Sequence, residues 1–502
     1  MRLSTGNLKN INVPGLQKPG MEIFELPTKV LQFGTGVLLR GLPDYFIDKA
    51  NRQGIFNGRV VVVKSTDTGS ADDFAKQDGL YTIYSKGIEN GKEVSEQVIC
   101  SSISWVLSAA KDWAAILKLA TSPDLQIIIS NTTEVGIQLV EEDINQQPPL
   151  SYPGKLLAIL YERYKAFDGS AVSGLVIIPT ELITDNGKKL KSIVLDLARF
   201  NKLPGEFINW IENHNTFCNS LVDRIVPGKP AKELAAALEE ERGYSDSLHI
   251  MSETYCLWAI EGDQRVASIL SFCKADGRVV ITPDIEIYRE LKLRVLNGSH
   301  TLSCAVAIIS GLDTVKEAMD NAGFSKFITE LAYKEIIPSI PYKIEPDVAV
   351  DFARKVLDRF RNPHIRHEWL SISMQYSTKI KMRVIPLLLN YYKLKNTVPA
   401  NMALGFAAFI RFMKIEKQND GAYKGSINGR EYNVTDSQAG YFAQVWQNGH
   451  ADQVVEKVLS NKNLWDTDLT KLPGFKEEVS KNLKRIMAAG EKEITTTELH
   501  QL

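Results

Sequence analysis

Three polar side chains, Lys292, Asn297 and His300, are spaced so that one cleft could hold all of them. At about 100° per residue they fall within an arc of roughly 140° on a helix surface. A lysine can exchange a proton with a substrate oxygen, an asparagine amide can donate to that oxygen as it gains charge, and a histidine can hold it in place. This set suits hydride transfer at a carbon that bears oxygen, without a metal. An amphipathic helix also carries such residues by chance, so spacing alone does not decide.

The element that must position these residues is a helix predicted from Pro283 to Cys304. Thr282 is a suitable N-cap, proline is favoured at the first helical position, and Asp284 and Glu286 suit the positive end of the helix dipole. Apolar residues recur at helical spacing and predict a buried face that leaves the polar trio elsewhere.

The spacing Lys292-x4-Asn297-x2-His300 resembles the catalytic motif of the mannitol dehydrogenase family, the polyol-specific long-chain dehydrogenases. A second stretch, residues 217–227 (FCNSLVDRIVP), is similar to the VDR signature of that family, with Asn215 where an apolar residue is usual. The resemblance covers nearly the whole chain. It implies that Lys292 is the catalytic acid and base, and that Asn297 and His300 stabilise and place the reacting oxygen.

Composition and charge exclude several other classes of protein. The chain has 502 residues, 44% hydrophobic and 24% charged, which suits a globular protein of at least two domains. A net charge of −1 gives no electrostatic reason to bind nucleic acid or an anionic membrane. The five cysteines are widely separated and without zinc spacing, and no signal peptide or membrane span is evident. We expect a cytoplasmic enzyme, a monomer or small homo-oligomer.

A strand, a glycine turn and a helix follow one another near the N-terminus, as in a dinucleotide-binding α/β fold. The third glycine of the usual fingerprint is replaced by Leu39. The version in the resembling family is closer to G-x-G-x-F-x-R, with Leu38 here in place of the aromatic residue. The cofactor-binding residues predicted in this segment are Phe33, Gly34, Thr35, Gly36 and Arg40.

Two further strand ends are predicted to contact the cofactor. Asp67 follows the strand 59–64, where an acidic residue bonds the ribose 2′-hydroxyl and favours NAD, although Lys64 would favour NADP. We predict NAD, which the resembling family mostly uses. Asn131 and Thr132 follow another buried strand and are predicted to lie near the nicotinamide. Solvated polar residues at strand ends are the alternative at both places.

The turn at residues 180–187 (TELITDNG) departs from the family pattern SCDNxPxNG. Leu182 stands where the family has an oxygen-polarising asparagine, and Glu181 and Asn186 are the predicted substrate-binding residues of this turn. The pattern most resembles the tagaturonate reductases, or altronate oxidoreductases. Because their substrate is an acid, a cation should meet its carboxylate. We predict Lys379 for this role, with a solvated basic helix face as the alternative.

The remaining chain predicts the domain organisation. Residues 80–100 predict a hairpin around Asn90-Gly91, and residues 104–120 a helix. The chain is mainly helical from 283 onward, with a short hairpin or loop near 425–432. We predict a Rossmann-like NAD-binding domain over 1–282 and a helical substrate and catalytic domain over 283–502. His364 and His367 have no evident third ligand, so we predict no metal site.

The sequence therefore predicts an NAD-dependent oxidoreductase that interconverts D-tagaturonate and D-altronate. Within the same family, the alternatives are fructuronate reduction or oxidation of a polyol such as mannitol. In a different class, the alternative is an NAD-binding redox sensor without turnover.

Overall fold

The computed structural model describes residues 1–64, 71–132, 136–447 and 449–488. Asp67, the predicted ribose contact, lies outside these residues. The chain divides into two compact units. The first comprises Met1–Gly87 and Glu93–Ile285, and the second comprises Ile88–Lys92 and the chain from Glu286 onward. The division therefore falls three residues after the predicted boundary.

The first unit is an α/β unit. Its strands are β1 (Leu16–Gln17), β2 (Thr28–Phe33), β3 (Arg59–Lys64), β4 (Tyr81–Glu89), β5 (Lys92–Cys100), β6 (Ile103–Ser108), β7 (Ile127–Ser130), β8 (Val176–Pro179), β9 (Thr216–Phe217), β10 (Ser220–Asp223), β11 (Ile250–Ser252), β12 (Leu257–Glu261) and β13 (Val279–Thr282). Its helices are α1 (Val37–Gly41), α2 (Pro43–Arg52), α3 (Ala71–Lys76), α4 (Trp113–Ala120), α5 (Tyr152–Ala166), α6 (Asn186–Phe200), α7 (Gly205–His214), α8 (Lys232–Arg242) and α9 (Gln264–Ile269). Short 3₁₀ turns occupy Thr5–Asn10, Met21–Glu25, Ala171–Ser173 and Ser271–Lys274.

A six-stranded parallel sheet forms the centre of this unit, in the order β6-β3-β2-β7-β8-β9. Both of its faces are covered, because alternate residues of one strand belong to different apolar clusters: Val30 to one, and Leu31 and Phe33 to the other. Continuous apolar runs such as Val60–Val63 suit strands that are buried on both faces. The strand order reverses at β2 and β7, where dinucleotides bind in folds of this type. The predicted Rossmann-like fold is confirmed.

The hairpin predicted over residues 80–100 is present as β4 and β5, with Asn90 and Gly91 at positive φ in a tight turn. These strands belong to a separate sheet of order β1-β5-β4-β11. The helix predicted over 104–120 is wrong in its first part. Residues 103–108 form the edge strand β6, and the helix α4 begins only at Trp113.

The second unit is mainly helical, as predicted. Its α-helices are α10 (Glu286–Glu290), α11 (Asn297–Ile309), α12 (Val315–Asp320), α13 (Ala322–Glu330), α14 (Pro346–Phe360), α15 (Trp369–Ile372), α16 (Tyr376–Lys379), α17 (Ile385–Lys395), α18 (Ala400–Phe412), α19 (Ala439–Gln447), α20 (Ala451–Leu459), α21 (Lys462–Trp465) and α22 (Phe475–Ala488). Its strands β14 (Ile415–Lys417), β15 (Tyr423–Ile427) and β16 (Arg430–Val434) form one small antiparallel sheet. Single π-helical turns occupy Leu291–Leu296, Leu331–Ile336 and Ile380–Val384, and 3₁₀ turns occupy Ile337–Ser339 and Leu469–Lys471.

The helix of the predicted catalytic residues begins later than expected. Strand β13 continues through Thr282, and the first helical residue is Glu286 rather than Pro283. Thr282 pairs with β12, so it serves the sheet instead of capping the helix. Among the described residues, no helix combines the length and the apolar character that crossing a membrane requires.

Candidate active site

The helix that carries the predicted catalytic residues changes its winding between Lys292 and Asn297. Residues Leu291–Leu296 form a π-helical turn, and regular α-helix resumes at Asn297. The backbone N–H of Asn297 donates to the carbonyl of Lys292, five residues earlier. The wider turn therefore brings the two residues closer to one line along the helix than the roughly 140° of regular α-helical winding. Single π turns are frequent at functional sites.

His300 lies one turn beyond, in a buried aromatic pocket. Its ring stacks on Phe360 with the centroids 4.2 Å apart, and it meets the edges of His367 and Trp369 at 5.2 and 5.9 Å. Within the described residues, the Nε2 atom of His300 has no hydrogen-bond partner, although it is buried. A buried polar atom without a partner is costly, so this nitrogen is available to a bound molecule.

The charge state of His300 follows from its surroundings. Burial lowers the pKa of His300 well below 6.5, and electrostatic interactions with His367, Arg359, Arg383 and Lys379 lower it further. Burial also lowers the pKa of His367. His300 is therefore neutral at pH 7, with one ring nitrogen as donor and the other as acceptor.

The structure separates the surroundings of His364 and His367. His367 packs against His300, whereas His364 is exposed. Nowhere in the described ranges do three or more potential metal-ligating side chains come together.

Two cations stand near His300 on the segment 376–384. Lys379 is half-buried, and its Nζ donates to the carbonyl of Ile372 at 2.7 Å. Arg383 donates through Nη1 to Oγ1 of Thr301 at 3.1 Å. Burial lowers the pKa of Lys379 and lowers that of Arg383 to about 10, which leaves Arg383 charged at neutral pH. The segment thus places positive charge beside the predicted catalytic helix.

Arg294 joins the π turn Leu291–Leu296 to the π turn Ile380–Val384. Its guanidinium forms two hydrogen bonds with Glu290, at 2.9 and 3.1 Å, in a buried ion pair. It also donates through Nη1 to the carbonyls of Met382 and Arg383, at 2.6 and 3.2 Å. The two turns are therefore held in register with each other by one buried side chain.

Tyr376 makes a second link to the helix of the predicted catalytic residues. Its hydroxyl donates to the carbonyl of Thr301 at 2.7 Å and accepts from the N–H of Ala305 at 3.1 Å. These are the two backbone groups that would bond each other in a regular α-helix, so the hydroxyl is inserted into the helical ladder. The insertion lies directly after His300 and fixes the start of the cationic segment.

The glycine turn of the first unit is tightly packed at one glycine and open at the other. Gly34 has φ of +123°, and a Cβ there would lie 3.0 Å from the carbonyl oxygen of Asn131. Beside Gly36, in contrast, a Cβ would meet no atom within 4 Å. The turn therefore packs on one side and leaves its other side open to the close approach of a pyrophosphate. Phe33 is buried below it against Tyr152, and Thr35 is half-buried.

Arg40, predicted to bind the cofactor, points into the protein. It is 6% exposed, donates to the carbonyl of Leu248 at 2.6 Å, and packs over the rings of Phe74 and Tyr81. Through these contacts, Arg40 anchors helix α1 to the interior of the first unit.

Polar residues at the ends of β7 and β8 form one network. The buried carboxylate of Glu181 accepts from Thr132 through both its backbone N–H and its hydroxyl, at 2.9 and 3.0 Å, and from Ser130 at 3.2 Å. Burial raises the pKa of Glu181. Asn131 donates to the carbonyl and the hydroxyl of Thr180. The structure thus brings together three predicted residues, Asn131, Thr132 and Glu181.

Asn186, predicted to bind substrate, is buried in the turn and has no polar atom to spare. Its Nδ2 donates to the carbonyls of Pro179, Glu181 and Ser220, and its Oδ1 accepts from the N–H groups of Gly187 and Ser220. Its side chain fixes the turn through these hydrogen bonds, and its predicted contact with substrate stays a prediction. Leu182, in contrast, is 65% exposed.

Three residues near the predicted site, Arg294, Tyr376 and Arg383, were not predicted. Arg383 follows Lys379 by four residues, so the basic run 379–383 carried a signal for it. Arg294 and Tyr376 act on backbone groups of distant segments, and sequence spacing carries no trace of such contacts.

Comparison with family models gives two matches. Residues 284–487 match the model described as the mannitol dehydrogenase C-terminal domain, and residues 28–273 match that of the mannitol dehydrogenase Rossmann domain. Among curated proteins, the altronate oxidoreductase of Escherichia coli O9:H4 (strain HS) is 38% identical over 479 residues, which cover 93% of this chain and 96% of the relative.

Two solved structures share the fold. The Pseudomonas fluorescens mannitol 2-dehydrogenase, a ternary complex with NAD and D-mannitol, aligns with a TM-score of 0.68 at 21% identity, over 100% of this chain and 99% of the other. A substrate-free D-sorbitol dehydrogenase aligns with a TM-score of 0.77 at 20% identity, over 98% and 99%.

Proposed function

The chain belongs to the mannitol dehydrogenase family, and from that premise we propose that it is an NAD-dependent oxidoreductase that interconverts D-tagaturonate and D-altronate. The observation that carries the proposal is the second unit's own arrangement: Lys292 and Asn297 one π turn apart, followed by a neutral His300 with an unpartnered buried nitrogen. The relative that is 38% identical is named altronate oxidoreductase, and this name supports altronate as the substrate.

In this proposal each of the three residues has a separate task. When bound, NADH supplies the hydride that reduces the ketone carbon. The ammonium of Lys292 gives a proton to the oxygen as that carbon is reduced, and its amine takes the proton back in the reverse direction. The amide of Asn297 donates to the oxygen while it carries negative charge, and neutral His300 places the oxygen through its free Nε2.

The cofactor would be held by the glycine turn. Its open side at Gly36 and its tight packing at Gly34 support binding of a pyrophosphate there. Asn131 and Thr132 are proposed to lie near the nicotinamide, because they follow β7 beside the point where the strand order reverses. Their hydrogen bonds to Thr180 and Glu181 would fix their orientation.

The substrate class is supported by charge. Lys379 and Arg383 lie near His300 without a carboxylate partner in the described part of the chain. A sugar acid supplies the missing negative charge, whereas a neutral polyol such as mannitol does not. Within the family, fructuronate remains the alternative acid; the leucine at position 182, where the family pattern has asparagine, argues for the tagaturonate subfamily.

The experiment that tests the activity is the loss of NADH absorbance with tagaturonate, fructuronate and fructose in parallel, repeated with NADPH. We expect preference for tagaturonate with NADH. NADH binding without oxidation by any of these compounds would instead favour a redox sensor, and preference for fructose would remove the carboxylate argument.

Lys292→Ala tests the mechanism. We expect turnover to fall by about 10²–10⁴-fold because the proton donor is lost, while the Kd for NADH stays within about twofold. Lys334→Ala is the matched control, since Lys334 lies on another π turn and is paired with Glu330 at the surface. Near-normal turnover of the Lys292 variant would contradict the assignment.

A further inference from the structure

We propose that Arg383 binds the carboxylate of the substrate and is the residue by which this site selects sugar acids over neutral sugars. This inference rests on the proposed function, and it names the side chain that makes the enzyme specific for sugar acids. Lys379, the cation predicted from the sequence, takes a supporting role.

The first argument is the missing countercharge. Arg383 and Lys379 are half-buried, and within the described residues neither forms an ion pair with a carboxylate. Arg383 also contributes to the lowered pKa of Lys379, as expected for two like charges held close together. Two neighbouring cations that lose hydration without an anionic partner are costly to keep. A bound carboxylate would remove that cost.

The second argument is geometric. Arg383 uses Nη1 to reach Thr301, whose hydroxyl in turn donates to the carbonyl of Asn297 at 2.7 Å. The guanidinium is thereby held beside the turn that carries Asn297 and His300. Its backbone is fixed as well, because Arg294 donates to the carbonyls of Met382 and Arg383. The cation is therefore positioned by the same helix that positions the reacting oxygen.

The third argument separates the two cations. Across the described part of the chain, Nη1 is the atom of Arg383 that is engaged, and Nε and Nη2 have no partner. These two donors form one edge of the guanidinium, which matches the two oxygens of a carboxylate. Lys379 is a point charge whose ammonium already donates to Ile372. Arg383 is thus the better carboxylate ligand.

The test is steady-state kinetics of Arg383→Met and Arg383→Lys, with tagaturonate and with fructose as the neutral ketose. We expect Arg383→Met to raise KM for tagaturonate by about 10²-fold, with kcat changed by less than about fivefold. Its kcat/KM for fructose should stay within about twofold of wild type. Arg383→Lys should recover part of the loss for tagaturonate, because it restores charge without the two-donor edge.

Lys381→Met is the matched control. Lys381 lies on the same π turn but pairs with Asp466 at 2.7 Å, so its loss should leave KM for tagaturonate unchanged. Circular dichroism would establish that each variant is folded. If Arg383→Met is folded and keeps the wild-type KM for tagaturonate, the inference is wrong. An equal loss for tagaturonate and fructose would also overturn it, because that result indicates general damage to the site.

The two proposals fail in different ways. If the wild-type protein reduces no hexuronate, the proposed function is wrong, and the carboxylate role of Arg383 falls with it. If the wild type reduces tagaturonate or fructuronate and Arg383→Met does so equally well, only the inference about Arg383 is wrong.

Discussion

His300 is a side chain whose surroundings determine both its chemistry and its contribution to stability. Its ring is stacked on Phe360, and it faces His367 together with the cations Arg359, Lys379 and Arg383. A proton on this ring would be both poorly hydrated and repelled. The neutral ring can donate to, or accept from, a substrate oxygen, which is the role proposed for it.

A pH dependence of stability follows from this lowered pKa. Below about pH 6.5 the unfolded chain protonates this histidine and the folded chain does not, so the stability contributed by the neutral ring is present above that pH and is lost as pH falls. The loss approaches about 1.4 kcal/mol per pH unit for one group. We therefore expect Tm to fall more in wild type than in His300→Gln between pH 7.5 and 5, measured by calorimetry. Equal falls in the two proteins would contradict this.

At the residue scale, the sequence predicted the trio Lys292, Asn297 and His300, because helical spacing and family motif coincide in it. It could not distinguish Glu181 from Asn186, since both are polar residues of one turn. Which atoms remain free is decided by the backbone carbonyls of Pro179 and Ser220, which only the folded chain brings to Asn186. The sequence shows which residues are polar, but it does not show which of their atoms form hydrogen bonds within the protein.

At the scale of elements, the helix that carries the proposed catalytic residues is held by side chains that bond its backbone. The hydroxyl of Tyr376 occupies a place in the helical ladder between Thr301 and Ala305. Arg294 ties the preceding π turn to the cationic segment. These links fix the positions of the π turn Leu291–Leu296 and of the cationic π turn Ile380–Val384 relative to His300.

Tyr376→Phe tests the importance of the inserted hydroxyl. Its removal leaves two backbone groups without their buried partner, so we expect a loss of about 1–3 kcal/mol in the free energy of unfolding and a several-fold lower kcat. Denaturant unfolding and steady-state kinetics would measure the two effects.

Tyr391→Phe serves as the control for Tyr376→Phe, because in the described ranges the hydroxyl of Tyr391 makes no hydrogen bond. We expect its effect on stability to stay within about 0.5 kcal/mol. If the two variants lose the same stability, the inserted hydroxyl has no special importance.

Element boundaries show where sequence patterns fail. Residues 103–108 read as part of a helix, but they pair with β3 as an edge strand with Trp105 69% exposed. Because β6 is an edge strand with an exposed aromatic residue, its sequence lacks the continuous apolar run that is typical of a buried strand. The late start at Glu286 has a similar cause, since pairing of β13 with β12 uses Thr282 before the helix can begin.

At the scale of the whole molecule, the fold class was predictable because each unit has its own periodicity. The first alternates buried strands with helices, and the second shows helical periodicity throughout. The sequence did not predict that the boundary falls between residues 285 and 286. It also did not predict that Ile88–Lys92 belongs to the second unit. Both depend on contacts between segments far apart in sequence.

The distribution of thiols gives a test of the whole fold. Cys100, Cys218, Cys256 and Cys304 are buried, Cys273 is partly exposed, and burial raises the pKa of every one of them. We expect a thiol reagent at pH 8 to label one site slowly in the native protein and five after denaturation. Cys273→Ser should abolish the native labelling. Rapid native labelling of a second thiol would show that part of the core is open.

The π turn at Leu291–Leu296 also has a meaning for how such a site can arise and be copied. A five-residue step between the proposed proton donor and the amide equals an ordinary four-residue helical step with one residue inserted. Winding the same residues as a regular α-helix would place Lys292 about 140° from Asn297 while every residue type stayed the same. The inheritable property of this site is therefore the winding of the helix as well as a set of side chains. Transplanting the three residues onto a regular helix would not transplant the site.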